Sequence, residues 1–311
     1  MAAEAPTQFT DVTFRQSATD ADNHVRLDVL AGYVQDQVAL GGRWQAIAGL
    51  RIDRFDLRFH NNRTGDDLAR VDRLLSPRGG LIFKPAEQAS LYASYSVSHL
   101  PSSGDQFSSL TASTQTLEPE RFTNREVGAK WELTPALSLT GALFRLDRTN
   151  STAHDPGNSA MLVQTGAQRT TGYELGVSGD VGAAWQIAGG FASQRAVLSS
   201  ATTAGPAGAT APLVPHHTAS LWNRVQLAPP VGIGLGLVHQ SRMYAAIDNT
   251  VTVPAFTRVD GAFFLGLTRS AKLQLNVENL FDAGYYATAQ GNNNIMPGAP
   301  RTLRVSVTAS Q

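Results

Sequence analysis

No cysteine occurs in the chain, which excludes disulfides and thiolate-bound metal and is compatible with many compartments, the bacterial envelope among them. Charge is scarce and balanced. The 25 Lys and Arg match 25 Asp and Glu, and charged residues make up 16% of the sequence, against roughly a quarter in ordinary soluble domains. A formal net charge of zero gives no long-range attraction to nucleic acid or to an anionic membrane surface. No apolar run approaches the roughly 18 residues of a spanning helix, and no stretch carries a helical stripe with caps. The opening MAAEAPTQF lacks the basic and apolar regions of a secretory leader, so in an exported protein the directing segment is missing from this sequence. GxSxG, HExxH and P-loop patterns are absent, leaving no catalytic candidate.

What the chain does contain is alternation of period two. In Trp44–Asp53 (WQAIAGLRID) the even positions are apolar and most odd ones small or polar. Leu91, Ala93, Tyr95 and Val97 alternate with serines and a tyrosine; Leu273, Leu275 and Val277 alternate with Lys272, Gln274 and Asn276; Leu303, Val305 and Val307 alternate with Arg304 and Ser306. Such segments bury one face and wet the other. About 14 of them follow one another, most longer than the average strand of about 5–6 residues. The expected spans are 8–16, 25–40, 43–59, 71–85, 88–99, 120–133, 136–149, 166–181, 184–198, 214–228, 231–245, 253–268, 271–286 and 296–309.

The connections alternate in length. Short ones fall at Gly41-Gly42, Pro85-Ala86-Glu87, Thr134-Pro135, Gly182-Ala183, Pro229-Pro230 and Arg269-Ser270; between them lie long polar stretches such as 100–119, 150–165 and 199–213. Strict short–long alternation puts all short turns at one end of an up-and-down sheet. That is the asymmetry of a transmembrane β-barrel, whereas Greek-key sandwiches scatter their long connections. Three of the four tryptophans, Trp44, Trp131 and Trp185, lie next to short turns, the place for a girdle at the lipid–water boundary. Trp222 lies within its strand and does not fit. In lipid the sheet must close, because an open edge leaves backbone groups unpaired; 14 strands could close alone or form part of something larger. Gly232, Gly234 and Gly236 alternate along one strand, which leaves room for bulky neighbours.

The last segments, NVENLFDAGYY and PGAPRTLRVSV, resemble the C-terminal strands of TonB-dependent outer-membrane receptors of the siderophore-receptor group. Further matches follow in order upstream: GYVQDQVAL (Gly32–Leu40), LSPRGGLIFKP (Leu75–Pro85), LYASYSVSHLP (Leu91–Pro101), LEPERFTNREVGAKWEL (Leu117–Leu133), LFRLDRTN (Leu143–Asn150), QRTTGYELGVSG (Gln168–Gly179) and PAFTRVDGAFF (Pro254–Phe264). The resemblance implies an all-β fold: an antiparallel up-and-down transmembrane β-barrel of about 14 strands here, as the C-terminal portion of a 22-stranded barrel. The barrel portion is residues 25–311, with 1–24 a strand and loop of uncertain boundary. It also implies a location in the bacterial outer membrane, among its lipids. The family's N-terminal plug and TonB-contacting segment are not recognisable, and Thr308-Ala309-Ser310-Gln311 replaces the family's usual aromatic ending.

The implied function is capture of a ferric siderophore, the cargo rather than a cofactor, and its passage inward when the TonB complex pulls on the plug. Cargo of this kind needs aromatic faces and cationic donors. Candidates at the outer end are His99, Phe107, Arg121, His154, Tyr244, Tyr285, Tyr286, Asn292, Asn293 and Asn294. Ala287–Ile295 would be an outer loop, with a bulge at Asn279–Asp282 before it. His216 and His217, adjacent on a strand, would point to opposite faces and so are not a metal pair; no metal site is expected. Glu118, Glu120 and Glu126 with Arg121 and Arg125 suggest a salt-bridge cluster at the rim. A plug-free passive pore, a truncated relic and a soluble β-rich binding protein are the competing readings.

Overall fold

The computed structural model describes residues 22–101, 115, 117–155, 158–201, 205–268 and 270–309, and their side chains except those of 152–165. Alternating apolar and polar positions drive every major element, and the described residues contain no α-helix. The strands are β1 (Asn23–Leu40), β2 (Trp44–Asn61), β3 (Asp67–Ala86), β4 (Ala89–Leu100), β5 (Glu120–Thr134) and β6 (Leu137–Asp155). There follow β7 (Asn158–Val181), β8 (Trp185–Leu198), β9 (His217–Ala228) and β10 (Val231–Gln240). Two short strands come next, β11 (Met243–Tyr244) and β12 (Thr252–Val253), then β13 (Phe256–Gly266) and β14 (Ala271–Glu278). The hairpin β15 (Tyr286–Gly291) and β16 (Asn294–Pro297) precedes β17 (Thr302–Ala309).

Thirteen of these form one sheet in chain order, β1 through β10 and then β13, β14 and β17, with every neighbouring pair antiparallel. They correspond to the expected segments from 25–40 onward; the expected strand at 8–16 lies outside the described residues. The short turns fall at one end, as at Leu40 opposite Trp44 and Val181 opposite Trp185. Gly41 and Gly182 both take left-handed φ values there, 72° and 68°, where a side chain would be strained.

Several boundaries differ from the sequence reading; besides β9, β10 and β13, which are shorter than the expected 214–228, 231–245 and 253–268, four connections change. The polar stretch 150–165 is mostly a tall hairpin, with Ala153 opposite Val163. The 60–70 connection shrinks to a turn because β2 runs to Asn61 and β3 starts at Asp67. Instead of 271–286, β14 stops at Glu278: Asn279 turns into the left-handed region at φ 53°, and its side chain bonds the loop. Finally, Met296 and Pro297 belong to β16, so β17 begins at Thr302 rather than at 296. In each case cross-strand pairing, which local pattern cannot show, sets the end.

The sheet is a single layer, and its two faces differ in chemistry. One face presents Leu30, Leu50, Leu75, Leu91, Leu143, Leu175, Leu235, Leu273 and Leu303, which the antiparallel register aligns on the same side. Much of it is open, with Leu30 74%, Leu143 60% and Leu303 65% exposed. The opposite face carries Gln45, Arg51, Asp53, Glu126, Lys130, Gln274 and Asn276. A layer this apolar on one exposed side suits contact with hydrocarbon, not water. Correspondingly little is buried in a core: two small clusters, Leu57 with Phe59, and Met243 with Ala245, Val253 and Ala289, both lie at the long-loop end.

Trp44, Trp131 and Trp185 stand on the apolar face at the short-turn end, and Trp185 donates to the Asn223 side chain at 3.1 Å. Trp222 lies on the polar face with its ring over Gly234 and Gly236; a Cβ added at either would come within 2.6 and 2.7 Å of that ring. The alternating glycines thus leave the space that the indole fills.

Candidate ligand platform at the long-loop end

Three connections at the long-loop end are locked into one body. Asn249 accepts from the Thr210 backbone N–H at 2.9 Å and donates back to the Thr210 carbonyl at 2.9 Å. The Leu213 N–H donates to the Tyr244 carbonyl. On the other side Asn292 donates to Asp248 at 2.8 Å and to Thr250 at 3.1 Å. Met243, Ala245, Val253 and Ala289, with Val251 and Ile295, fill the space between. Polar pins and a dry centre together fix loops that would otherwise pay a large ordering entropy on binding.

A small cleft in this body is lined by Thr210, Val214, His216, Arg242, Tyr244 and Thr252, which combines a cation, an imidazole and an aromatic ring. Nearby, the Tyr285 ring packs on Phe256 at 4.5 Å and its hydroxyl receives a hydrogen bond from Arg258 at 3.3 Å. Arg258 Nε and Asn292 Oδ1 are buried and have no hydrogen-bond partner among the described residues.

The expected site residues do not all meet. Tyr244 is in the cleft, and Tyr285, Tyr286 and Asn292 to Asn294 belong to the adjoining loop and hairpin. Within the triplet the roles divide: Asn292 pins the loops, Asn294 bonds Gln290 at 2.9 Å within its own hairpin, and Asn293 is exposed in the turn. His99 sits apart near the end of β4, its Nδ1 3.3 Å from Ser76 Oγ, in a depression of about 540 Å³ with Tyr33, Arg51, Asp53 and Arg78. Arg121 pairs opposite His99 and Thr149. Phe107 and the side chain of His154 lie outside the described residues; the His154 backbone pairs with Leu162. The expected strand geometry does not apply to the pair, because His216 sits in a bend before β9: it lines the cleft, His217 opens the strand and stacks on Phe191 at 6.0 Å, and the two rings are 6.4 Å apart. Among the described residues no group of three or more metal-ligating side chains occurs.

The expected rim cluster does not form. Glu120 and Glu126 occupy even positions and Arg121 and Arg125 odd ones, so the pleat sends them to opposite faces. Glu120 instead binds Arg148 through both carboxylate oxygens, at 2.6 to 3.0 Å, and Glu126 accepts from the Tyr92 hydroxyl at 2.6 Å. The operative charge pattern is Arg-x-Asp, two residues apart and therefore on one face: Arg26–Asp28, Arg51–Asp53, Arg54–Asp56, Arg70–Asp72, Arg145–Asp147 and Arg258–Asp260. That repeat was available in the sequence; Arg242 in the cleft carried no local signal.

A single antiparallel layer with one exposed apolar face, short turns at one end and locked loops at the other is the wall of a transmembrane β-barrel. A family model described as TonB dependent receptor-like, beta-barrel matches residues 3–280, and the chain belongs to that family. Curated relatives include a probable TonB-dependent receptor, BfrD, of Bordetella pertussis, 31% identical over 94% of this chain and 42% of that protein. Another is the catecholate siderophore receptor Fiu of Escherichia coli, 31% identical over 91% of this chain and 42% of its own length. Among solved structures, the siderophore receptor PiuA of Acinetobacter baumannii superposes with a TM-score of 0.83 at 25% identity, over 93% of this chain and 44% of that one. The closed form of Fiu gives a TM-score of 0.79 at 24% identity, covering 93% and 45%, a likeness of fold. The chain thus spans less than half the length of these relatives. Its family comprises outer-membrane β-barrels, and the relatives are receptors, not enzymes.

Proposed function

We propose that this chain forms the C-terminal wall and outer loops of an outer-membrane receptor for ferric siderophores, energised through the TonB complex in the assembled protein. The observation that carries the reading is the locked loop platform, with its Arg242–His216–Tyr244 cleft, on a sheet whose apolar face is open to lipid. Anionic ferric chelates with planar arms are held by guanidinium donors and aromatic faces, and the cleft presents Arg242 and Tyr244. The work is binding and passage, with no catalytic step and no resident cofactor. The names of PiuA and Fiu support a siderophore as cargo.

The test is titration of the detergent-folded chain with a ferric tris-catecholate and a ferric trihydroxamate, read by tryptophan quenching. Saturable binding of either, weakened by Arg242→Ala, supports the reading; no binding of both removes it.

Among the described residues the two edges of the 13-stranded sheet, β1 and β17, run in the same direction, so antiparallel closure needs an odd number of additional strands. The passive-pore alternative therefore requires at least the expected strand at 8–16, which lies outside the described residues. Steady single-channel current from the refolded chain in a planar bilayer would revive the pore.

A further inference from the structure

At the long-loop end of β1 and β2, the face that is apolar lower down becomes polar. Above Leu30 it carries Asp28, Arg26 and His24 on β1, and Arg54, Asp56, Arg58 and His60 on β2. The register sets His24 directly opposite His60, and His60 directly opposite Asp67 on β3. Two imidazoles and a carboxylate therefore form one row across three strands. At a strand rise of about 3.3 Å per residue, His24 stands well clear of the apolar band that begins at Leu30.

The row is held from several sides. His60 Nδ1 lies 2.8 Å from Asp67 Oδ1; with Nδ1 donating to that carboxylate, Nε2 keeps its lone pair for a cation. The turn from β2 to β3 is closed by the Gly65 N–H on the Asn61 carbonyl at 2.8 Å and by the Asn61 N–H on the Asp66 carbonyl at 2.9 Å. Asn62 donates its backbone N–H to the Asp22 carbonyl at 2.9 Å and its side-chain amide to the Asp22 carboxylate at 2.8 Å. These bonds continue the β1–β2 pairing past the histidines. The arginines of the next row are drawn away: Arg26 binds Asp28 at 3.1 Å and Arg58 lies 3.9 Å from Asp56, both toward the apolar band. His24 is exposed and Asp67 keeps 82% of its side chain open, so the row is accessible to water and ions.

We propose that His24 and His60 form a cross-strand clip for a divalent transition-metal ion of the zinc, nickel or copper class, with Asp67 positioning His60. Directly opposed residues on antiparallel strands have Cβ atoms about 4.5–5.5 Å apart. Two nitrogens on one tetrahedral zinc ion, each at about 2.0–2.1 Å, stand roughly 3.3 Å apart. Opposed imidazoles reach that convergence by rotation about their side-chain torsions. Imidazole suits zinc, nickel and copper, whereas calcium and magnesium take oxygen ligands. A carboxylate on the other ring nitrogen fixes the ring and raises its basicity. The clip offers two protein ligands, in keeping with the lack of any three-ligand group among the described residues, and water fills the remaining positions. The bound ion staples β1, an edge of the sheet, to β2. The clip takes the free ion and is independent of ferric-chelate capture.

The experiment uses the full chain, without a polyhistidine tag, folded in dodecylmaltoside micelles at neutral pH. Zinc chloride is titrated in competition with a chromophoric chelator, and copper(II) binding is read by electron paramagnetic resonance. The expected result is one zinc equivalent, lost in His24→Ala and in His60→Ala and unchanged in His239→Ala. Asp67→Asn weakens it by about 10–100-fold. The copper spectrum shows two nitrogen ligands, reduced to one in His24→Ala, and calcium chloride does not displace zinc. Zinc raises the thermal midpoint of the parent chain but not that of His24→Ala. A zinc equivalent that survives loss of both histidines, equal loss in His239→Ala, or displacement by calcium would overturn the proposal. So would an absence of zinc binding by a chain that unfolds cooperatively on heating, and unchanged affinity in Asp67→Asn would remove the positioning role.

Discussion

Asn279 and Ala299, 20 residues apart, are tied by a hydrogen bond from the Asn279 side-chain amide to the Ala299 carbonyl at 3.2 Å. The same amide donates to the Ala283 carbonyl at 3.0 Å, and its oxygen accepts from the Ala283 N–H at 2.9 Å. Asp282 repeats the idea by accepting from the Arg301 N–H at 2.8 Å. The long final connection is therefore closed at its base, and the β15–β16 hairpin projects from a fixed stem. Asn279 is 2% exposed, and Asn279→Ala removes three hydrogen bonds of this buried side chain, at about 2–4 kcal/mol from the net worth of each bond. Limited proteolysis should show cleavage between 279 and 301 appearing in the variant; an unchanged digestion pattern would remove the stem.

The Trp222 ring and the alternating glycines beneath it form a second testable pair. Gly234→Ala should destabilise the protein by about 1–3 kcal/mol through overpacking, and most of that cost should vanish in a Trp222→Ala background. Thermal unfolding in micelles for the four members of the cycle gives the coupling. Additive effects would mean that the indole does not occupy the space.

Glu120 is 5% exposed and holds Arg148 with both oxygens. Removing one charge leaves the other poorly solvated, so Glu120→Ala should cost about 3 kcal/mol, whereas the joint Glu120→Leu/Arg148→Met replacement should be near neutral. Denaturant midpoints for the single and joint variants are the measurement. A joint variant as weak as the single one would show that the pair itself contributes stability.

Tryptophan depth tests the orientation in lipid. In vesicles made with brominated phosphatidylcholines, Trp44, Trp131 and Trp185, retained one at a time, should be quenched most by bromines near the headgroup. Trp222, on the polar face, should be quenched least. Equal quenching of all four would contradict an apolar face turned to lipid.

The platform should act as a unit. Asn249→Ala removes both bonds to Thr210 and frees the 205–216 segment from the cleft. Ferric-chelate affinity should fall about tenfold, by the weight of one or two lost hydrogen bonds and added loop entropy. Unaltered affinity would place the ligand elsewhere.

Alternation along each segment and the lengths of the connections determined the order and direction of the 13 strands of the main sheet, because pleat and turn length are local properties; the four short strands were not legible. The same alternation placed Trp44, Trp131 and Trp185 beside short turns. Tertiary structure decided where strands stop and which charges meet. Residues 150–165 look like a loop but pair across β6 and β7, and Asn279 ends β14 because its side chain finds Ala283 and Ala299. Glu120 belongs with Arg148, not Arg121, and Asp147 gathers arginines from three strands, because partners across a sheet are set by register, which no single strand encodes. Arg242 and Tyr244 joined His216 for the same reason: two loops distant in sequence converge only once the barrel wall has brought their stems side by side.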